Sequence, residues 1–482
     1  MSIRIVSHLI AFMLMVLGAA AAACWGISIH FGDPLTAQQG LLYSSGIMFG
    51  FGALLALFTR GSNDLSRRDG FGIVTFGWLA ASIFGALPYI LSGVIPSPAA
   101  AVFETMSGFT TTGASVLSNL EEVPRGVMFW RALTHLFGGM GVLILCVAIL
   151  PFLGVGGMQI YRAEVPGPSK DRLTPRIATT AKLLWGVYIL MCAVEAVLLC
   201  MGGMDWFDSL CHTFATLATG GFSTRSASVA AYDSVYIETI ITFFMFLAGA
   251  NFALHYRALT GKVNAYFKDP EFLCYLFIWL GASLLLTLNV WGTTYASVWD
   301  ALRNSFFTST SIMTTTGFCT ADFDLWPDAS RLLLILLMFI GGCAGSTGGG
   351  MKVVRIMIGI KKVFRELTLF MRPKSVLSVK LGGKPVEQSA VSHMAAFLLM
   401  FMLLFGAFSV VMTFYTPDLE TAFSSVIATM GNIGPGLAAV GATQNYAEIA
   451  PSGQVILTIC MLLGRLELYT VLIVLLPGFW KK

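Results

Sequence analysis

The chain has 482 residues, of which 56% are hydrophobic and only 11% are charged, and its mean hydropathy is +0.79. Soluble domains carry about 25% charged residues, so this composition excludes an ordinary soluble protein and is typical of one embedded in a bilayer. The sequence contains no Gly-rich phosphate loop, zinc-ligand spacing or nucleophile elbow. We therefore expect no enzyme activity and no cofactor on this chain.

Apolar stretches that are long enough to cross a membrane recur from end to end, since about 20 apolar residues suffice for one crossing. The first span carries Arg4 and small residues at 19–23, which would also suit a cleaved signal peptide. Its length and the second span directly after it favour a retained helix. We predict spans near 8–31, 41–59, 71–93, 126–153, 179–202, 235–256, 272–292, 331–343, 391–415 and 453–479.

Four segments share one pattern, which is an apolar span, a short apolar helix, a small-residue turn and a second span. The spacings between the aligned turn glycines are 108, 96 and 117 residues, for Gly113, Gly221, Gly317 and Gly434. Each short helix has about three turns and is too short to cross, so it must end inside the membrane. Asp300 and Asp418 stand near two of the helix starts, where a carboxylate can cap backbone N–H groups.

The sequence thus predicts an all-α polytopic membrane protein with four helix–pore-loop–helix repeats in a pseudo-four-fold arrangement around a central pore. The predicted parts are 1–67 with two N-terminal transmembrane helices, 68–173 with pore repeat 1, 174–267 with pore repeat 2, 268–384 with pore repeat 3, its broken second span and a basic inner segment, and 385–482 with pore repeat 4.

The turns are candidates for a cation filter. A helix that ends inside the membrane points the negative end of its dipole there, and turn carbonyls can replace the hydration shell of an ion. Ordinary Thr-Gly loops would explain one such turn but not four at the same place in a repeat. The predicted filter residues are Thr111, Thr112, Gly113, Thr219, Gly220, Gly221, Thr315, Thr316, Gly317, Asn432, Ile433 and Gly434.

A second set of aligned glycines lies in the later span of each repeat, at Gly139, Gly249, Gly342 and Gly464. The residues that follow them are Met140, Ala250, Cys343 and Arg465. Only Arg465 is charged, and a charge inside a membrane helix is costly and usually functional. It predicts an electrostatic barrier below the filter. The alternative is a salt bridge with Glu467, although residues two apart on a helix do not face each other.

The second span of repeat 3 is interrupted by residues 341–350, which include six glycines. Such a run cannot hold a straight helix. It favours either a flexible loop beneath the filter, which could block the pore and withdraw, or a glycine hinge that is needed for packing.

Charge is distributed unevenly between the two sides of the predicted topology. With the N- and C-termini in the cytoplasm, 23 of the 29 basic residues lie on the inner side. This agrees with the excess of Lys and Arg in cytoplasmic loops of membrane proteins. Fifteen of the 25 acidic residues lie on the outer side, where they would attract cations to a pore mouth or simply occupy surface loops.

Several motifs resemble those of the Trk membrane-subunit family, within the superfamily of potassium transporters that includes Trk, Ktr and the fungal and plant high-affinity systems. They are WRALTHLFGGMG at 130–141, GMQIYRAEVPGP at 157–168, KDPEF at 268–272, GGCAGSTGGGMK at 341–352 and GRLE at 464–467. The resemblance covers the whole chain. It implies potassium uptake across the bacterial cytoplasmic (inner) membrane, with potassium at the filter residues and as the substrate.

The resemblance also implies that the glycine-rich run is the gate. The gate residues are then Arg465, Gly345, Ser346, Thr347, Gly348, Gly349, Gly350 and Lys352. The implied partners are potassium or sodium, the lipid bilayer, a soluble nucleotide-binding Trk regulatory subunit and a second copy in a homodimer, but not nucleic acid. Any nucleotide is expected only on the regulatory subunit. The basic segment 352–384 would meet that subunit or anionic lipid heads.

Two transport mechanisms remain open. In a channel-like protein, ions move down their gradient when the loop opens. In a symporter, a proton or a sodium ion accompanies potassium, and proton coupling usually needs titratable groups along the path. Glu195 lies within a span, but in an outer helix of the repeat pattern. The sequence therefore favours the channel-like mechanism, with symport as the alternative.

Overall fold

The computed structural model describes residues 1–59, 66–139, 141 and 177–481. Within these ranges the chain is mostly helical, and its one sheet is a short antiparallel hairpin of β1 (Lys380–Leu381) and β2 (Lys384–Pro385). The predicted all-α fold class is confirmed.

The part of the chain that the structure describes contains twenty α-helices. In chain order they are α1 Ile3–His30, α2 Leu35–Phe58, α3 Arg67–Gly85, α4 Leu87–Leu91, α5 Pro98–Phe109, α6 Arg125–Gly139, α7 Ile177–Met201, α8 Trp206–Leu217, α9 Val235–Ala248, α10 Phe252–Leu259, α11 Ala265–Lys268, α12 Pro270–Val290, α13 Val298–Met313, α14 Asp328–Ile340, α15 Val353–Met371, α16 Gln388–Met412, α17 Leu419–Met430, α18 Pro451–Arg465, α19 Tyr469–Leu475 and α20 Pro477–Trp480.

Six helical segments of the described ranges are long and apolar enough to cross a bilayer. They are the N-terminal pair α1 and α2, and the first span of every repeat, at α3 with α4, α7, α12 and α16. Many of their large apolar side chains are exposed, such as Phe58, Leu288 and Leu399. Side chains of this kind on a long apolar helix suit a lipid-facing surface.

Two of the second spans are bent. The predicted spans at 235–256 and 453–479 are each broken into two helices, with bends of 103° between α9 and α10 and 116° between α18 and α19, and each bent pair together is long and apolar enough for one span. Asn251 starts the new helix α10 by accepting a hydrogen bond from the Ala253 N–H at 2.8 Å. Between α18 and α19, Glu467 and Leu468 adopt positive φ angles of 57° and 52°. The predicted span 126–153 lies partly outside the described residues.

Four short helices enter the molecule and end near its centre, as the repeat pattern predicts. These pore helices are α5, α8, α13 and α17. Each is followed by a turn and then a short 3-10 segment, at Leu120–Glu122, Ser228–Tyr232, Phe323–Leu325 and Ala438–Val440.

Carboxylates cap two pore helices. Asp418 accepts a hydrogen bond from the Thr421 N–H at 2.7 Å, as expected, and Asp205 accepts one from the Asp208 N–H at 2.6 Å. The expected cap at Asp300 is wrong, because the N-cap of α13 is Ser297 and Asp300 lies inside the first turn. A carboxylate in that turn still interacts favourably with the helix dipole.

We predict that Asp418→Ala lowers the stability of the folded protein by about 1 kcal/mol, because an N-terminal N–H of α17 loses its acceptor. Thermal unfolding of the purified protein in detergent measures the change. The matched control is Glu448→Ala, which removes an exposed carboxylate of the outer loop between α17 and α18. Equal unfolding temperatures for the two variants would contradict the assignment of Asp418 as a cap.

Candidate functional site

The four pore helices end in the same backbone motif. In the first, the Thr112 N–H donates to the Ser107 carbonyl at 2.8 Å and the Thr111 N–H donates to the Gly108 carbonyl at 3.1 Å. These two bonds form a Schellman motif, which places one residue in the left-handed region. That residue is not a glycine in any repeat; the φ angles are 52°, 54°, 62° and 54° at Thr111, Thr219, Thr315 and Asn432.

A second left-handed residue follows two positions later in every turn. It is the aligned glycine, with φ angles of 83°, 76°, 85° and 102° at Gly113, Gly221, Gly317 and Gly434. A non-glycine residue in the left-handed region costs of order 1–3 kcal/mol and persists only where the surroundings enforce it. Four such residues at equivalent places therefore indicate a backbone shape that serves a function.

The four turns close into one ring. A Cβ atom added at Gly113 would lie 2.1 Å from the Gly220 carbonyl oxygen of the second turn. The next contacts have the same form and run in chain order: Gly221 faces the Thr316 oxygen at 2.0 Å, Gly317 the Ile433 oxygen at 2.1 Å and Gly434 the Thr112 oxygen at 2.7 Å. The structure thus brings all twelve predicted filter residues together around one centre, and each glycine is needed because a neighbouring carbonyl occupies the place of its side chain.

Several polar groups of the turns bond within the protein. Thr112 Oγ1 lies 2.8 Å from Thr110 Oγ1, and Thr316 Oγ1 lies 2.8 Å from Thr314 Oγ1. In the fourth turn, Asn432 Nδ2 donates to Thr112 Oγ1 at 3.0 Å. The amide of Asn432 therefore links the fourth turn to the first where the other repeats carry a threonine.

A cavity of about 160 Å³ lies beside the ring. All four aligned glycines line it, together with residues of the loops that follow the turns. Hydrogen bonds from the Ser226 side chain and N–H lower the pKa of Glu121 in this region. Burial raises the pKa of Asp324 to about 6, although it accepts a hydrogen bond from the Ala438 N–H. In their ionised form these two carboxylates make the surrounding loops more attractive to cations.

A buried ion pair that the sequence did not reveal supports the first two turns. Arg131 Nε donates to Glu104 Oε1 at 2.7 Å, and Arg131 Nη1 donates to the Ser223 carbonyl at 2.9 Å. Glu104 also accepts from the Ser115 hydroxyl at 3.0 Å and from the Val116 N–H at 2.9 Å. The pair therefore joins the segments directly after the first and second turns. The side chain of Arg131 is only 3% exposed.

Tyr446 supports the fourth turn and was also missed. Its hydroxyl donates to the Gly434 carbonyl at 2.7 Å, and its N–H donates to the Ser115 carbonyl at 2.8 Å. The ring of Tyr446 is buried against Phe103 of α5. This tyrosine therefore joins repeat 4 to repeat 1 at the place where the chain closes the ring.

The glycine-rich loop of repeat 3 lies directly beneath the ring. The Gly349 N–H donates to Thr315 Oγ1 at 2.6 Å, and the Gly350 N–H donates to the Gly431 carbonyl at 2.9 Å. On the side of repeat 2, Thr347 Oγ1 donates to the carbonyl of Leu217, the last residue of α8, at 2.9 Å. Residues 347–350 thus contact the ends of three pore helices or their turns.

The other predicted gate residues of the loop lie at its start and at its end. Gly345 and Ser346 face Asn251 and Cys343 at the start of the loop rather than the turns. Lys352 ends the loop with a positive φ of 77°, and its ammonium group donates to the Gly348 carbonyl. This buried cation therefore stabilises the loop from within.

Arg465 bridges the loop to repeat 1. Its Nη1 donates to the Thr347 carbonyl at 2.8 Å, and its Nη2 donates to the Gly138 carbonyl near the end of α6. Glu467, the alternative partner of Arg465, has its carboxylate 2.6 Å from Arg355 Nη2. Of the residues aligned with Arg465, Ala250 and Cys343 are buried, and Met140 lies outside the described residues.

Comparison with known proteins identifies the family of this chain. The family model TrkH, described as a cation transport protein, matches residues 43–480. The chain belongs to the TrkH family. It is 40% identical to the Trk system potassium uptake protein TrkH of Halomonas elongata over 100% of both chains, and 42% identical to that of Escherichia coli K12 over 87% of both.

A solved structure also matches. The crystal structure of the potassium transporter TrkH from Vibrio parahaemolyticus aligns with a TM-score of 0.89 and 36% identity, and the match covers 100% of both chains. Because the match covers both chains in full, the two proteins share the arrangement of the repeats as well as the individual helices.

We predict that Gly221→Ala reduces potassium flux roughly tenfold or more, because a left-handed non-glycine residue alone costs of order 1–3 kcal/mol. The new methyl group would also lie 2.0 Å from the Thr316 oxygen. Flux into proteoliposomes measures the change. Gly186→Ala is the control, since an added Cβ there meets nothing within 4 Å. Similar flux in both variants would contradict the need for close approach at the ring.

Proposed function

We propose that this chain takes up potassium across the bacterial cytoplasmic membrane through the ring of four turns. The observation that carries the proposal is the closed ring itself, in which each aligned glycine abuts a carbonyl of the next turn. Relatives over the full chain length are named Trk system potassium uptake proteins. Thr112, Gly220, Thr316 and Ile433 would then offer backbone oxygens to the ion, with the other predicted turn residues.

The physical basis of ion binding is the convergence of helix ends. Helices α5, α8, α13 and α17 direct their C-termini toward the ring, where their dipoles favour positive charge. Carbonyl oxygens in a narrow ring replace the water that a monovalent cation loses on entry. The outer carboxylates would raise the local concentration of cations at the mouth.

The proposed gate is the loop beneath the ring together with Arg465. Residues 347–350 fill the space directly below the turns, and the Arg465 guanidinium holds the Thr347 carbonyl. A fixed positive charge there opposes the passage of a cation. Opening therefore requires the loop to withdraw and Arg465 to release its contacts.

Regulation is proposed to come from outside this chain. Helix α15 begins directly after the loop and forms the first part of the basic inner segment 352–384. If a soluble nucleotide-binding Trk subunit binds this segment and displaces α15, the loop that is continuous with α15 would move with it. We also propose a homodimer with cytoplasmic N- and C-termini, as the family resemblance implies.

Proton- or sodium-coupled symport is the second candidate, and one observation favours it. Glu195 lies within the α7 span, six residues before its end, and its side chain is fully buried although α7 is an outer helix. Intramembrane carboxyl groups are common in proton-coupled transporters.

Reconstituted flux distinguishes the two mechanisms. Proteoliposomes are given potassium or sodium gradients, with and without a pH gradient, and both cation and proton movement are followed. Channel-like transport predicts potassium flux that depends only on its own electrochemical gradient. Proton or sodium movement in fixed ratio to potassium would establish symport instead, and an absence of potassium flux would contradict both.

We predict that Arg465→Ala increases potassium flux in the absence of the regulatory subunit, by roughly tenfold, because hydrogen bonds to charged groups contribute about 1.5–3 kcal/mol. The loop would also lose a cation that opposes ion passage. Lys374→Ala is the control, since it removes an exposed charge from the inner segment. Unchanged or lower flux in folded Arg465→Ala protein would remove its assignment as a barrier.

A further inference from the structure

Glu271 occupies a distinctive place beside the loop. It is the second residue of α12, and its backbone N–H is capped by Asp269 Oδ1 at 3.0 Å. Its side chain turns into the protein and is 9% exposed. In the sequence this residue stands out only as part of the KDPEF motif.

One oxygen of Glu271 binds both ends of the glycine-rich loop. Glu271 Oε1 accepts a hydrogen bond from the Ala344 N–H at 2.7 Å and another from the Val354 N–H at 3.2 Å. Ala344 precedes the part of the loop that contacts the ring, and Val354 is the second residue of α15. The carboxylate thus fastens the two ends of the segment to a helix of the fixed scaffold.

The surroundings make these bonds important for the loop. Ala344 and Val354 lie in one buried apolar cluster, which also contains Ile358 and Val391. The Val354 N–H is at the start of a helix, where no carbonyl of its own helix can accept it. A carboxylate is a strong acceptor and is further favoured at a helix N-terminus. Removing it would leave two buried donors without this acceptor.

We propose that Glu271 is a positioning residue that latches the gate loop in its closed place beneath the ring. The proposal rests on the proposed function, since it assigns Glu271 to the same gate. Arg465 holds the middle of the loop at Thr347, whereas Glu271 holds both ends. Withdrawal of the loop then requires the Ala344 or the Val354 bond to break.

The test uses Glu271→Ala and the milder Glu271→Gln, which keeps one uncharged acceptor oxygen. Potassium flux in the absence of the regulatory subunit is expected to rise roughly tenfold in the alanine variant, since bonds to charged groups are being lost. The glutamine variant should show a smaller rise. Glu366→Ala and Glu366→Gln are the controls, because Glu366 lies on α15 and pairs with Arg365 rather than with the loop.

Two further readouts separate a latch from general damage. The potassium-to-sodium flux ratio should stay at the wild-type value, because the ring is untouched. Hydrogen exchange of segment 341–354 should become faster in Glu271→Ala and stay unchanged in the Glu366 variants. This exchange measurement needs no transport and reports on the latch even if the alanine variant conducts poorly.

Unchanged or reduced flux with unchanged exchange in the folded Glu271 variants would overturn the latch. A rise in flux with a lower potassium-to-sodium ratio would also overturn it, because the ring would then be the part disturbed. If the wild-type protein carries no potassium, the proposed function fails, whereas faster exchange of segment 341–354 would still establish Glu271 as the residue that holds the loop.

Discussion

The close approach of each aligned glycine to a carbonyl of the next turn is the contact on which the rest of the structure depends. With 2.0–2.1 Å between a hypothetical Cβ and the oxygen at three of the four contacts, the turns have no room for a side chain. The pore helices must therefore end in identical Schellman motifs, so that each turn leaves its helix at the same angle. Buried groups outside the ring, including the Glu104–Arg131 pair and Tyr446, then keep the turns from separating.

Symmetry ends directly below the ring. All four repeats contribute to the closed base, but each by a different group: Gly138 offers a carbonyl from repeat 1, Leu217 one from repeat 2, the loop comes from repeat 3 and Arg465 from repeat 4. A four-fold backbone suits an ion on the axis, which has no preferred side. The proposed gate does not need four-fold symmetry, because one loop and one cation are enough to occupy a single narrow space.

The sequence predicted the features that repeat or that depend on local chemistry. The glycine spacing located the ring, and Asp418 stood where a helix cap belongs. Features that depend on distant contacts were not predictable, because nothing near Glu104 or Glu271 in the chain indicates a partner 27 or 73 residues away. The bend between α9 and α10 was missed for another reason: Asn251 sits in an apolar stretch, and a single polar residue there does not reveal that it caps a new helix.

The donors of the closed loop have a thermodynamic consequence for conduction. The Gly350 N–H and the Thr347 hydroxyl satisfy carbonyls at the ends of pore helices, and Lys352 and Arg465 bring positive charge to the same region. The carbonyl oxygens that accept these bonds lie at helix C-termini, and such oxygens also attract a dehydrated cation. In the proposed gating, loop withdrawal is therefore an exchange reaction, in which tethered donors are replaced by water and ions at the same oxygens. Because lost and gained interactions would offset each other at the same oxygens, a modest external force would be enough to set the balance.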